Sequence, residues 1–337
     1  MKLTMRLNER SYDIIVKSGA LRRVSQLVNL NRKVLVVTDS GVPKAYAETV
    51  LQQCGEGFLA VVPQGEASKS IACFESLSQQ LLEHHFGRND AVVAVGGGVV
   101  GDLAGFVAAS YMRGIAFINC PTTTLAQVDS SIGGKVAVNL CGTKNVVGAF
   151  YQPSLVVADI ATLKTLTPRH FAAGLAEAVK SGLLADEDLF TLFEEGEIHE
   201  NLEEIIYRSL VVKKNIVEQD ERETGLRAVL NFGHTLGHAV ESYCHLGGLY
   251  HGECVALGML PMIETPTLRR RTRAVYQKLG LPCSVKYDGD AIFELITHDK
   301  KASGDTITLV KVKKAGECRL ETVPLASLRA IVKEGIR

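Results

Sequence analysis

The apolar positions of the chain change their period near residue 160. Before it, short β-branched runs alternate with stretches in which apolar residues recur every three or four positions. Beyond it the helical period dominates. Lys33–Thr38 reads as a strand that ends in the turn-forming Asp39-Ser-Gly41. Phe58–Val62 predicts a second strand stopped by Pro63, and residues 70–86 carry helical spacing. Asp90–Val95 is apolar on both faces, the pattern of a buried strand in a parallel sheet, and runs into Gly96-Gly-Gly98. Ile115–Asn119 and Leu155–Ala158 predict further strands. This alternation predicts a Rossmann-like, doubly wound α/β domain over residues 1–160.

Residues 161–337 read as a mainly α-helical domain. Helices are expected over 171–185, 202–218, 233–244 and 268–279. Pro261–Thr267, with its two prolines, should be a turn, and 306–312 with 318–323 alternates like a small hairpin. A length of 337 residues accommodates two such domains.

Composition narrows the function classes. Lys plus Arg and Asp plus Glu are 37 each, a balance that argues against a general nucleic-acid binder. Eight cysteines are scattered without a C-x-x-C pair, as expected of reduced thiols in a cytoplasmic protein. The N-terminus carries no apolar signal segment, and no apolar run reaches the ~18 residues that span a bilayer, so no membrane association is expected.

His234, His238 and His251 lie within 18 residues of one another. An H-x-x-x-H pair on a helix puts two imidazoles on one face, where one cation can reach both. Ordinary polar histidines would give the same pattern. The downstream His251, followed closely by the carboxylate Glu253, completes a plausible ligand set. Glu177 and Lys180, three apart on a predicted helix, are either a surface ion pair or part of a buried face. Their apolar neighbours Leu175, Ala176, Ala178 and Val179 favour burial, where a bare carboxylate needs a cation.

Gly96-Gly-Gly-Val-Val-Gly-Asp102 follows a strand and opens a helix, a place where backbone N–H groups and the helix dipole can receive a diphosphate. The spacing is not G-x-G-x-x-G, and such a turn can also serve packing alone. Asp39 is placed either to accept the hydroxyls of an adenosine ribose or to form a turn. Asp129 to Lys135, with Lys144 and Asn145, is a solvated loop or a receptor for a phosphorylated, hydroxylated substrate.

The chain contains Gly65-Glu-Ala-Ser-Lys69, Gly96-Gly-Gly-Val-Val-Gly-Asp-Leu-Ala-Gly105, Pro121-Thr-Thr-Thr-Leu-Ala-Gln-Val-Asp-Ser-Ser-Ile-Gly-Gly-Lys135 and Lys144-Asn-Val-Val-Gly-Ala-Phe-Tyr-Gln-Pro153. It continues with Gly174-Leu-Ala-Glu-Ala-Val-Lys180, Asn231-Phe-Gly-His-Thr-Leu-Gly-His238 and His251-Gly-Glu253. In these motifs it resembles the 3-dehydroquinate synthases of the sugar-phosphate cyclase superfamily, over nearly its whole length. Glycerol-dehydrogenase-like enzymes are similar in architecture but lack the Asp-Ser-Ser-Ile-Gly-Gly-Lys segment.

The resemblance implies NAD bound by the N-terminal domain and a divalent metal, zinc or possibly cobalt, held by Glu177, His234 and His251. It implies NAD contacts from Asp39, Glu66, Lys69, Gly98, Val99, Val100, Gly101, Asp102, Thr122, Thr123, Lys135, Lys144, Thr162, Leu163, Lys164 and Thr165. Catalytic roles would fall to Lys135, Glu177, Lys180, Lys213, Arg227, Asn231 and His238, and substrate contacts to Arg113, Asp129, Asn145 and one of Lys300 and Lys301. On this reading His238, first noticed as the spacing partner of His234, stands beside the substrate instead of on the metal. The implied reaction takes a seven-carbon keto-acid phosphate to 3-dehydroquinate through transient oxidation by NAD, loss of phosphate, re-reduction, ring opening and aldol closure. The implied assembly is a homodimer. Cys254 stands where Ala is expected after His-Gly-Glu, a small change that removes no catalytic group. Competing readings are a related cyclase for a sugar phosphate without a carboxylate, an NAD-dependent polyol dehydrogenase, and a non-enzymatic metal- or nucleotide-binding module.

Overall fold

In Ala91–Gly96 every residue is buried, as a strand covered on both faces requires. The computed structural model, which describes residues 1–244, 248–300 and 305–334, places this strand inside a seven-stranded sheet. The sheet uses β1 (Lys2–Met5), β2 (Tyr12–Val16), β3 (Lys33–Asp39), β4 (Glu56–Val62), β5 (Ala91–Gly96) and β6 (Ala116–Pro121). A separate hairpin, β7 (Lys135–Leu140) and β8 (Thr143–Phe150), precedes the last sheet strand, β9 (Leu155–Ala158). The order is β1-β2-β9-β6-β5-β3-β4, parallel except for the β1–β2 pair.

Helices α1 (Val24–Leu27), α2 (Lys44–Leu51), α3 (Ile71–Glu83) and α4 (Gly98–Ser110) complete this unit, which runs from Met1 to Leu166. Alternation along the strands sorts the core into two layers. Leu35, Val37, Val92 and Ala94 pack with Leu77, Leu103 and Val107 on one face. Val34, Val36, Val93 and Val95 pack with Val24, Ala47 and Val50 on the other.

The chain passes from β3 outward to β4 and then returns to the far side of β3 as β5. That reversal opens a crevice at the carboxyl ends of β3 and β5, the usual ligand position in such sheets. Asp39 ends β3, and Gly96 ends β5. Gly105 lets α4 approach the sheet: a Cβ there would lie 2.4 Å from Val136 and 3.0 Å from Phe117.

The second unit runs from Thr167 to Arg337. Its helices are α5 (Pro168–Ala185), α6 (Glu187–Glu195), α7 (Leu202–Gln219), α8 (His234–Tyr243), α9 (His251–Met259), α10 (Pro266–Leu279) and α11 (Gly289–Lys300). The antiparallel hairpin β10 (Thr306–Lys314) and β11 (Glu317–Pro324) and the helix α12 (Leu328–Glu334) follow. Thr167 caps α5 by accepting from His170 N–H, with Pro168 in the first turn where its missing donor costs nothing. All residues from Ala172 to Leu184 are buried, so α5 runs through the core of its unit. No helix among the described residues is long and apolar enough to cross a membrane.

Two hairpins depart from the sequence reading. Residues 135–150 pair as strands where polar density suggested a loop, because Val136 and Val138 face the core while Lys135 and Asn145 face outward. The β1–β2 pair buries Leu3, Met5, Tyr12, Ile14 and Val16, an alternation present in the sequence but not read. Of the expected turn at Pro261–Thr267, a 3₁₀ turn takes the start and Pro266 already begins α10.

Replacing Gly105 with Ala should overpack the α4 contact and cost about 1–3 kcal/mol. A urea-unfolding midpoint for the α/β unit unchanged from the parent would contradict this close approach.

Candidate functional site

Three helices of the second unit bring four titratable side chains together: Glu177 from α5, His234 and His238 from α8, and His251 from α9. Glycines make the approach possible. A Cβ on Gly252 would lie 1.8 Å from the Ala173 carbonyl oxygen of α5. On Gly258 it would lie 2.0 Å from the Gly233 carbonyl, and on Gly237 3.0 Å from that of Cys254. Cys254 is buried at this contact.

Glu177 Oε1 lies 3.5 Å from His234 Nε2 and 3.7 Å from His251 Nε2. Two ligand atoms at the usual zinc distances on a tetrahedron are about 3.4 Å apart, so one ion would bridge these three atoms with little movement. The imidazoles of His234, His238 and His251 also offer nitrogens within 4.8 Å of one another. His234 Nδ1 meets the Phe232 carbonyl at 3.1 Å, and His251 Nδ1 meets Glu241 at 3.0 Å. Both contacts leave Nε2 to act as a ligand.

Glu177 is 2% exposed, and so is Lys180. The ammonium lies 2.5 Å from Glu177 Oε2 as an ion pair, while its hydrogen bond goes to the Leu230 carbonyl at 2.8 Å. The pair is buried, not a surface bridge, and its donor set suits a divalent cation.

Glu253 is a correction to the first reading of the histidine cluster. Its two oxygens are taken by Arg169, each at 2.7 Å, and Oε2 also accepts from the Tyr250 N–H. It caps α9 and is not available as a ligand.

Burial pushes the His234 pKa well below the usual histidine value, helped by the charges of Lys180, His251 and His238. Burial also opposes the charge on His251, but the bond to Glu241 and the charges of Glu177 and Glu241 outweigh it, and its pKa is raised.

Elsewhere in this unit Lys213 and Arg227 are buried. Asp220 accepts from the backbone N–H groups of Thr224, Gly225 and Arg227, which lower its pKa to about 2 and shape the loop that presents Arg227. Asn231 donates to Glu223 at 3.3 Å. Glu223, held at φ 60°, and Glu241 were not singled out from the sequence. Glu241 falls at i+7 from His234 on the same helix face, a signal that could have found it. Lys301 lies outside the described residues, as does the side chain of Lys300.

In the α/β unit, α4 begins at Gly98 without a side-chain cap, leaving its first N–H groups, from Gly98, Val99 and Val100, for an anion. Gly97 and Gly98 stand against Thr123 and Ser130, and Gly101 against Asn119. Asp39 uses Oδ1 to hold the turn through Gly41 and Val42 N–H. The turn reading is therefore realised.

Lys69, 5% exposed, pairs with Asp102 at 2.7 Å and also donates to Asn145. Asn139 joins them, bonding Glu66 at 2.8 Å and the Asn145 N–H. The structure thus groups Asn145 with Glu66, Lys69 and Asp102. Thr122 is fixed by its N–H to Gly96, and Thr123 accepts from Ala126 N–H. A π-helical turn, Ala126–Ser130, carries Asp129. Within it Gln127, fully buried, donates to the Pro121 and Asp159 carbonyls and to Thr162, so it ties the ends of β6 and β9 together. Sequence reading overlooked Gln127. Thr162 and Leu163 are buried and Lys164 and Thr165 exposed on the 3₁₀ turn after β9. Arg113, Lys135 and Lys144 are exposed, Arg113 at φ 68°.

A family model described as 3-dehydroquinate synthase N-terminal matches residues 59–173, and one described as 3-dehydroquinate synthase C-terminal matches residues 174–302. A 3-dehydroquinate synthase of Streptococcus thermophilus is 42% identical, with 99% of this chain and 100% of that protein covered. One of Enterococcus faecalis is 41% identical, with 99% of each covered. Among solved structures, a 2-deoxy-scyllo-inosose synthase complexed with carbaglucose-6-phosphate, NAD+ and Co2+ superposes with TM-score 0.89 at 27% identity, covering 99% of this chain and 100% of that one. A 2-epi-5-epi-valiolone synthase from Streptomyces hygroscopicus with NAD+ and Zn2+ bound gives TM-score 0.86 at 26% identity, with 98% of each covered.

Two outcomes are expected. Gly252→Ala should force α9 away from the Ala173 carbonyl and weaken zinc binding at least about tenfold in chelator competition; parent-like affinity would contradict the helix contact. Zinc affinity should also fall as pH drops through the raised pKa of His251, by about tenfold per unit for one competing proton, because only the neutral imidazole is a ligand. A pH-independent affinity between pH 5 and 8 would exclude that imidazole from the site.

Proposed function

Since the chain belongs to the 3-dehydroquinate synthase family, we propose that it converts 3-deoxy-D-arabino-heptulosonate 7-phosphate to 3-dehydroquinate and inorganic phosphate, a carbon–oxygen lyase step of the shikimate pathway. The observation that carries the site assignment is the convergence of Glu177 Oε1 on the Nε2 atoms of His234 and His251. These three residues would hold a divalent ion, zinc or cobalt. When bound, the ion polarises substrate hydroxyls and NAD accepts and later returns a hydride.

The chain's own residues bind, orient and move protons. In the helical unit Lys180 is fixed between Glu177 and the Leu230 carbonyl, with its charge held at the ligand carboxylate. Arg227, its backbone anchored by Asp220, and Lys213 supply cations for the carboxylate and phosphate of the substrate. Asn231, oriented by Glu223, offers an amide to a hydroxyl, and one of Lys300 and Lys301 adds a further cation. His238 is exposed beside the half-buried His234, their ring centroids 5.3 Å apart, and its imidazole can hold or pass a proton at the substrate.

In the α/β unit the uncapped N-terminus of α4 receives the dinucleotide diphosphate, and Asp39 accepts a ribose hydroxyl. Glu66, Lys69, Asp102, Thr122, Thr123, Lys144 and the Thr162–Thr165 turn line the same NAD site. The family resemblance assigns Arg113, Asp129, Lys135 and Asn145 of this unit to the substrate, and Lys135 to NAD as well. A cytoplasmic homodimer is part of the same proposal, for which the scattered cysteines without a C-x-x-C pair are the sequence support.

Incubation with the keto-acid phosphate, NAD and zinc should release phosphate without net NADH. Stoichiometric NADH would instead identify a polyol dehydrogenase. Turnover of sedoheptulose 7-phosphate or glucose 6-phosphate in place of the keto acid would identify a different cyclase. Glu177→Ala should lose bound metal and phosphate release together, and metal retention by that variant would refute the ligand assignment.

A further inference from the structure

Glu241 lies on α8 seven residues after His234 and three after His238, so the three side chains share one helix face. Its Oε2 is 3.0 Å from His251 Nδ1. With a carboxylate there, Nδ1 carries the N–H, and the lone pair is left on Nε2, which faces Glu177 Oε1 at 3.7 Å. One helix thus supplies a ligand directly and orients a second ligand that belongs to its neighbour.

The backbone of His251 is fixed by other means. Arg169 grips both oxygens of Glu253 and lies over the Tyr250 ring at 4.5 Å. Glu253 in turn accepts from the Tyr250 N–H, and Gly252 rests against the Ala173 carbonyl of α5. Helix α9 is therefore held at its start without help from Glu241. What remains free there is rotation of the imidazole about its own side-chain bonds. The other imidazole, His234, is oriented by a main-chain carbonyl, that of Phe232, which needs no particular side chain.

We infer that Glu241 is a positioning residue: it fixes the tautomer and the rotation of His251 and so sets the affinity of the metal site. This deepens the proposed function and rests on its reading of Glu177, His234 and His251 as ligands. The role is one of orientation through a hydrogen bond. Glu241→Gln keeps an oxygen that accepts from Nδ1–H, whereas Glu241→Ala removes the contact and Glu241→Asp shortens its reach.

The test uses the full-length protein, stripped of metal. Zinc affinity is measured by competition with a chromophoric chelator, and the visible absorption bands are recorded after loading with Co2+. Glu241→Ala should weaken zinc by about 10–100-fold and alter the Co2+ bands, as loss of a ligand-orienting group does elsewhere. Glu241→Gln should lose clearly less and keep parent-like bands. Should the Ala variant fail to fold, Glu241→Asp takes its place with the same expected loss. Variants that all bind zinc within about twofold of the parent would overturn the inference, as would a Gln variant as weak as the Ala or Asp one. A parent protein that binds no zinc would instead sink the ligand assignment itself, so the two failures are told apart.

Discussion

A carboxylate that is 2% exposed has to be matched by positive charge, and Glu177 is where this requirement falls. Lys180 supplies one cation from the next turn of α5, at Oε2, while Oε1 lies near two imidazoles. The helical unit is arranged around that point. Helix α5 is buried along thirteen consecutive residues, α9 is drawn onto it through Gly252, and α8 and α9 are drawn onto each other through Gly237 and Gly258, glycines whose Cβ atoms would strike main chain. Widening any of those contacts by the width of a methyl group would separate the ligand atoms. The packing constraint and the chemistry therefore share the same residues.

Much of this was legible in the sequence because it depended on period. Strands β3, β5 and β6 and helices α5, α7 and α10 followed from apolar spacing, and the spacing of His234 and His238 pointed to the correct face of α8. The α/β-plus-helical class followed from the change of period. The β7–β8 hairpin did not emerge, because its exposed positions mix polar residues with Leu140, Val146 and Phe150 and only Val136 and Val138 are buried, so no clean inside–outside alternation stands out.

The site was legible less evenly. The proximity of Glu177 to His234 and His251 joins residues more than fifty positions apart, and no local pattern encodes that contact; only resemblance supplied it. Local spacing alone would have enlisted Glu253, which the fold instead assigns to Arg169 and the cap of α9. Gln127 lies inside the Pro121–Lys135 motif, but no spacing or neighbour in the sequence marks it as a buried amide that joins two strand ends.

The central claim is that the ion is held by one carboxylate and two imidazoles, not by the three imidazoles that also come within reach of one another. X-ray absorption at the zinc edge of the metal-loaded protein separates these directly, because imidazole gives a scattering pattern that carboxylate does not. The account predicts two imidazoles at about 2.0–2.1 Å together with oxygen ligands, and loss of the bound zinc in Glu177→Ala. Three imidazoles, with zinc retained after that substitution, would contradict it.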